Sequence, residues 1–201
     1  MPQVSLPQLI DALAKSPQLI SFPTDTVPAL ATRPEHSELI YAAKQRAGSK
    51  PLILMGASLA DLLPYVSAEA EAQAAWMALA NQHWPGQLTL VLPTSHYPFQ
   101  VLQEGTQNQH TLGIRVPNHP VALELLAQSG PLATTSANLS GQPPLTRVAD
   151  IARTFPTALT LPDEAFEDAD KRANKASGTP STVVKWTKQG WHILRQGAVN
   201  I

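Results

Sequence analysis

Short apolar runs, set apart by proline, glycine and polar turns, constrain this chain more than any other feature. Residues 19–22, 51–55, 88–92, 112–116, 132–135 and 158–161 read as strands. Helical stretches lie between them, over 36–46, 59–66, 68–84, 121–128 and 146–155. In 36–46, Leu39, Ile40 and Ala43 share one face, and in 68–84 Trp76 and Leu79 serve packing. A first helix follows Ser5, which can cap it, with Leu6, Leu9, Ile10 and Leu13 on one side. Strands alternating with helices imply an α/β sheet. The last runs, 182–186 and 191–195, are joined by the polar turn Lys188-Gln189-Gly190. So short a link pairs them antiparallel and makes the sheet mixed. Residues 98–110 and 163–179 read as loops, and the charged run 170–175 as a solvated loop or a lid.

With 201 residues and 43% hydrophobic content, the chain can bury one sizeable core and is short for two. We expect a single domain over 1–201. The absence of cysteine removes any disulfide framework, thiolate nucleophile or thiolate ligand. No apolar run approaches the length of a membrane span, and the first residues lack a secretory pattern. The expected location is the cytoplasm. A net charge of −1 argues against wholesale coating of nucleic acid. Phosphate-loop, dinucleotide, zinc-protease and nucleophile-elbow signatures are missing, and the six histidines show no metal-ligand spacing.

Three segments suit an anionic ligand. In PLATTSANLSGQPP (131–144) a strand runs into Thr134, Thr135, Ser136 and Asn138, gathering hydroxyls and an amide at one strand end. The alternative is a turn capping the next helix. Lys44, Arg46 and Lys50 cluster at a helix end and the loop beyond it, where cations are also favoured by the helix dipole alone. Arg115 is the sharpest case. Alternation puts it with Thr111 and Gly113 on one strand face, away from Leu112, Ile114 and Val116. An arginine there needs an anionic partner or a wet cavity. It clamps a substrate carboxylate or phosphate, or it closes an internal salt bridge with an acid such as Asp25 or Glu124. The four tryptophans read as packing residues.

These segments, with FPTDTV (22–27), WPGQLTLVL (84–92), GIRVPNHP (113–120), Ser181-Thr182 and ILRQG (193–197), occur in the order of the YrdC-like family of threonylcarbamoyl-AMP synthases. The chain resembles that family from about 22 to about 197. The resemblance implies an open, twisted, mixed α/β sheet with flanking helices around a wide basic cleft. It implies a reaction joining L-threonine, bicarbonate and ATP into threonylcarbamoyl-adenylate, with Mg²⁺ and release of pyrophosphate. A downstream transferase complex would then pass the threonylcarbamoyl group to tRNA, and weak RNA binding is conceivable on a basic face. Carried over position by position, Lys44, Arg46, Lys50, Thr111, Ser136, Asn138 and Arg195 would hold ATP and its phosphates. Thr24, Arg115 and Ser181 would hold threonine. No general base or nucleophile is identifiable. Pro28-Ala29, Ala47 and Pro180 depart from the family signature. They keep open a paralogue that adenylates another carbamoyl or acyl substrate. A non-catalytic RNA-binding module is the third reading.

Overall fold

The computed structural model describes residues 3–45, 51–67, 69–94, 96, 98–99, 111–166 and 176–201. A nine-stranded mixed sheet runs through them. The helices are α1 (Leu6–Lys15), α2 (Glu38–Ala43), α3 (Leu59–Leu62), α4 (Ala70–His83), α5 (Pro120–Ser129) and α6 (Val148–Thr154). The strands are β1 (Ile20–Phe22), β2 (Ala29–Thr32), β3 (Ile53–Met55), β4 (Leu88–Pro93), β5 (Thr111–Arg115), β6 (Leu132–Ser136), β7 (Leu159–Thr160), β8 (Thr182–Thr187) and β9 (Gly190–Arg195). Their order across the sheet is β7-β1-β2-β6-β3-β5-β4-β8-β9. β8 and β9 pair antiparallel as their short link requires, and β3–β5 and β4–β8 are parallel. None of the described helices is long and apolar enough to cross a membrane.

Ser5 caps α1 in a reciprocal box with Gln8, and Leu9 and Leu13 are its buried residues. Helix α2 is shorter than the sequence suggests: a 3₁₀ turn over Pro34–His36 precedes it and Lys44 caps it. β2 is a strand that the sequence pattern did not reveal.

The two faces of the sheet have different fates. Register aligns Leu54, Ile114, Leu90 and Val184 across β3, β5, β4 and β8. All four are essentially inaccessible and belong to the larger core cluster, which also holds Ile40, Trp76 and Ile151 from α2, α4 and α6. Burying one such side chain contributes about 1.5–3 kcal/mol. Trp186 packs edge-to-face on both Trp76 and Trp191, with centroids 6.3 and 5.0 Å apart, as the packing reading of the tryptophans requires. On the other face, α1 and α5 cover β1, β2 and β6 through Leu9, Leu13, Leu125 and Leu126. That cluster reaches only to Met55 on β3 and does not extend over β5, β4 and β8. There the same face presents Gly113, Thr89, Val91 and Lys185, which line a cavity. The open half of the sheet is the floor of a cleft.

Candidate functional site

The turn after β1 supplies the first wall. Thr24 Oγ1 donates to the Val27 carbonyl at 2.8 Å and accepts from the Thr26 amide at 3.1 Å, closing a tight threonine turn. The two threonine hydroxyls lie 3.0 Å apart. Thr24 has one hydroxyl proton, and Val27 takes it, so Thr26 donates to Thr24. Thr26 Oγ1 in turn accepts from Arg115 Nη1 at 2.9 Å. Towards the cleft it therefore offers a lone pair, which suits a ligand N–H or O–H.

Arg115 ends β5 on the open face and is 3% exposed. Its Nη2 meets Asp25 Oδ1 at 2.7 Å and its Nε donates to the Gly86 carbonyl at 3.0 Å. Of the partners the sequence left open for Arg115, the structure shows the internal salt bridge: Asp25 is its partner, and Glu124 is not. Burial pushes the Arg115 pKa down, the Asp25 carboxylate pushes it back up, and the nearby Arg195 charge lowers it again. Three of the five guanidinium N–H groups are engaged by these contacts. The remaining donors sit on a side chain that lines the cleft. Gly86 is required for this geometry. A Cβ there would fall 2.3 Å from the His83 carbonyl, so only glycine lets the turn close on the end of α4.

The opposite wall comes from the C-terminal strands. Ser181 Oγ lies 2.8 Å from Thr89 Oγ1 and accepts from Arg195 Nη2 at 3.2 Å, while Arg195 Nε donates to the Ser181 carbonyl at 3.0 Å. Partial desolvation lowers the Arg195 pKa. Among the described residues no carboxylate lies in ion-pair range of Arg195. Gly197 clamps this corner. A Cβ on it would come within 2.5 Å of the Pro180 carbonyl and the Thr182 amide nitrogen. The chain after β9 lies directly on the segment that carries Ser181, and the Gly197 amide donates to Thr182 Oγ1 at 2.9 Å.

The end of β6 completes the site. Lys44 Nζ donates to the Ser136 carbonyl and to Asn138 Oδ1, the latter at 3.2 Å. Ser136 Oγ donates to the same Asn138 oxygen, and Asn138 Nδ2 donates to the Leu139 and Gln142 carbonyls. Asn138 is therefore saturated and ties the helix end to the turn. To donate to a phosphate, Ser136 must exchange its partner.

A cleft of about 240 Å³ brings Thr26, Arg115, Ser136, Ser181 and Arg195 together. Thr111 lines an adjoining cavity of about 330 Å³, which shares Pro51, Ile53 and Arg195 with the cleft. Thr24 is absent from the cleft lining. It faces a smaller cavity of about 160 Å³ behind Thr26 and Pro28. Lys44 and Asn138 stand behind Ser136 rather than on the cleft wall. Arg46, Ala47 and Lys50, like the run 170–175, lie outside the described residues. Pro28, Ala29 and Pro180, the described departures from the signature, all line the cleft. Sequence reading missed Thr26, Thr89 and Lys185 as lining residues. Strand alternation in 182–186 could have found Lys185. Among the described residues no group of three histidine, aspartate or glutamate side chains could hold a metal ion. No carboxylate lines the cleft, and its cations and hydroxyls do not form a cage for the expected Mg²⁺.

A family model described as Sua5_yciO_yrdC, telomere recombination, matches residues 12–197. The chain belongs to the Sua5/YciO/YrdC family. Threonylcarbamoyl-AMP synthase of Serratia proteamaculans is 37% identical over 159 residues, covering 76% of this chain and 80% of the relative. The Bacillus subtilis protein of the same name is 36% identical over 145 residues, covering 70% of this chain and 40% of the relative. The crystal structure of P. abyssi Sua5 complexed with L-threonine superposes with a TM-score of 0.78 at 29% identity, covering 96% of this chain and 55% of that one. The chain thus spans about half or less of the Bacillus and Pyrococcus relatives, and most of the Serratia one. The open sheet with flanking helices is the fold of this family.

Proposed function

We propose that this protein is a threonylcarbamoyl-AMP synthase, making threonylcarbamoyl-adenylate from L-threonine, bicarbonate and ATP with release of pyrophosphate. The observation that carries the reading is one cleft lined by Arg115 and Arg195, close enough for each to feel the other's charge, together with the hydroxyls of Thr26, Ser136 and Ser181. Asp25 already balances the charge of Arg115, so Arg195 beside this pair leaves the cleft net positive, and an anion placed there is stabilised. The name shared by the Serratia and Bacillus relatives and the L-threonine in the Pyrococcus structure support the choice of substrate.

The chemistry needs no protein nucleophile. The threonine amine attacks the bicarbonate carbon, and water leaves to give a carbamate. A carbamate oxygen then attacks the α-phosphorus of ATP, and the bond to the β-phosphate oxygen breaks. Charge gathers on the α-phosphate oxygens and on the departing pyrophosphate, where fixed cations stabilise it. In this reading Arg115 uses its remaining N–H groups on the threonine carboxylate, and Thr26 and Ser181 orient the amine and hydroxyl. Thr24 acts through Thr26. Arg195, Ser136 and Thr111 serve the nucleotide, and Lys44 with Asn138 fixes the end of β6. Arg46 and Lys50 are assigned to the phosphates on sequence grounds.

Residues 1–201 act as one domain in a cytoplasmic enzyme, and a separate transferase consumes the product. Neither the paralogue nor the RNA-binding reading is favoured by the relatives. Purified protein should release pyrophosphate only when ATP, threonine and bicarbonate are all supplied. Equal release without threonine would overturn the reading in favour of another acceptor.

A further inference from the structure

The cavity that adjoins the cleft has a character of its own. Its floor is the uncovered face of β3, β5, β4 and β8, built from Ile53, Gly113, Val91 and Val183, with Leu194 at its rim. This is a flat, mostly apolar surface of the kind that accepts a planar ring. Gly113 keeps it flat. A Cβ there would meet Ile53 Cγ1 at 3.5 Å and Thr89 Cγ2 at 3.7 Å, ordinary contacts, so a side chain would fit the sheet and rise into the cavity.

Two cations line this cavity. Arg195 stands where it opens into the cleft. Lys185 projects from the same sheet face, opposite Val91 on β4 and His192 on β9. Among the described residues the Lys185 ammonium makes neither a hydrogen bond nor an ion pair.

We propose that Lys185 is a nucleobase-recognising residue: its ammonium donates to a ring-nitrogen acceptor of a purine lying flat on the floor at Gly113. The inference rests on the synthase reading and adds a residue to it. Arg195, between the two spaces, then faces the phosphate nearest the ribose. Adenine offers N7 and N3 as acceptors, so a donor at the end of the floor fixes the ring's position as well as adding affinity. A lysine there also explains how a cavity with few polar groups can hold a base in one orientation.

Calorimetric titrations with ATP and with inorganic tripolyphosphate, on wild type, Lys185→Ala and Gly113→Val, test this. Lys185→Ala should weaken ATP binding about tenfold or more, the loss of one charge-assisted hydrogen bond. Its tripolyphosphate affinity should equal that of wild type. Gly113→Val should likewise lose ATP and keep tripolyphosphate, because it blocks the floor without removing charge. Unchanged ATP affinity in Lys185→Ala would overturn the assignment, and so would an equal loss for both probes, which would place Lys185 on the phosphates. A wild type that binds no ATP would instead bring down the synthase reading on which this one stands.

Discussion

Removing Arg115 tests how the cleft is built. Arg115→Ala deletes the cation beside Asp25, whose side chain is 1% exposed and whose Oδ2 has no hydrogen-bond partner among the described residues. Leaving a buried carboxylate unpaired costs about 3–5 kcal/mol. For a chain of this size each kcal/mol shifts Tm by about 2–4 °C, so Arg115→Ala should melt roughly 6–20 °C below wild type. Arg115→Lys retains the charge but cannot reach Asp25, Thr26 and the Gly86 carbonyl together, and should fall between the two. Asp25→Asn removes the stranded charge. The double variant Asp25→Asn/Arg115→Ala should therefore recover about 0.5–3 kcal/mol relative to the sum of the single changes. Thermal melts and denaturant midpoints on wild type and the four variants measure this. An Arg115→Ala variant within about 1 kcal/mol of wild type, with additive single changes, would refute the buried-pair account. The salt bridge would then be incidental to the fold.

Two further outcomes follow from the cleft walls. Thr26→Val removes the lone pair facing the cleft, and threonine affinity by calorimetry should fall about tenfold, whereas Thr24→Val should act mainly on stability by opening the turn. Unchanged threonine affinity in Thr26→Val would remove it from the site. Gly197→Ala forces the chain off the Ser181 segment and should destabilise by about 1–3 kcal/mol in denaturant titrations, with turnover lost beyond what unfolding explains. A fully active, fully stable variant would show that the close approach has no role.

Much of the frame was legible because it depends on local pattern. Apolar runs and helical spacing marked eight of the nine described strands and helices α1 to α6, with α2 and α3 shorter than read, but residues 163–166, read as loop, are helical. β2 escaped because Ala29–Thr32 is only four residues long and buried on both faces, so it shows no alternation of apolar and polar residues, and prolines lie on either side. The site was legible in part. Alternation put Arg115 on the correct face of β5. Its partner lies 90 residues away, and no local rule joins them. The same limit hid the reach of Lys44 to Asn138, 94 residues on. Thr24 and Thr26 could not be ranked from sequence, because the turn decides which hydroxyl faces the cleft and which supports it.

The synthase account meets its most direct test in the fate of carbon from bicarbonate. Protein given radiolabelled bicarbonate, unlabelled L-threonine and ATP should yield a labelled, AMP-linked product whose mass is that of threonylcarbamoyl-adenylate. Label that never enters an AMP-linked product, from folded protein that binds both threonine and ATP, would contradict the account.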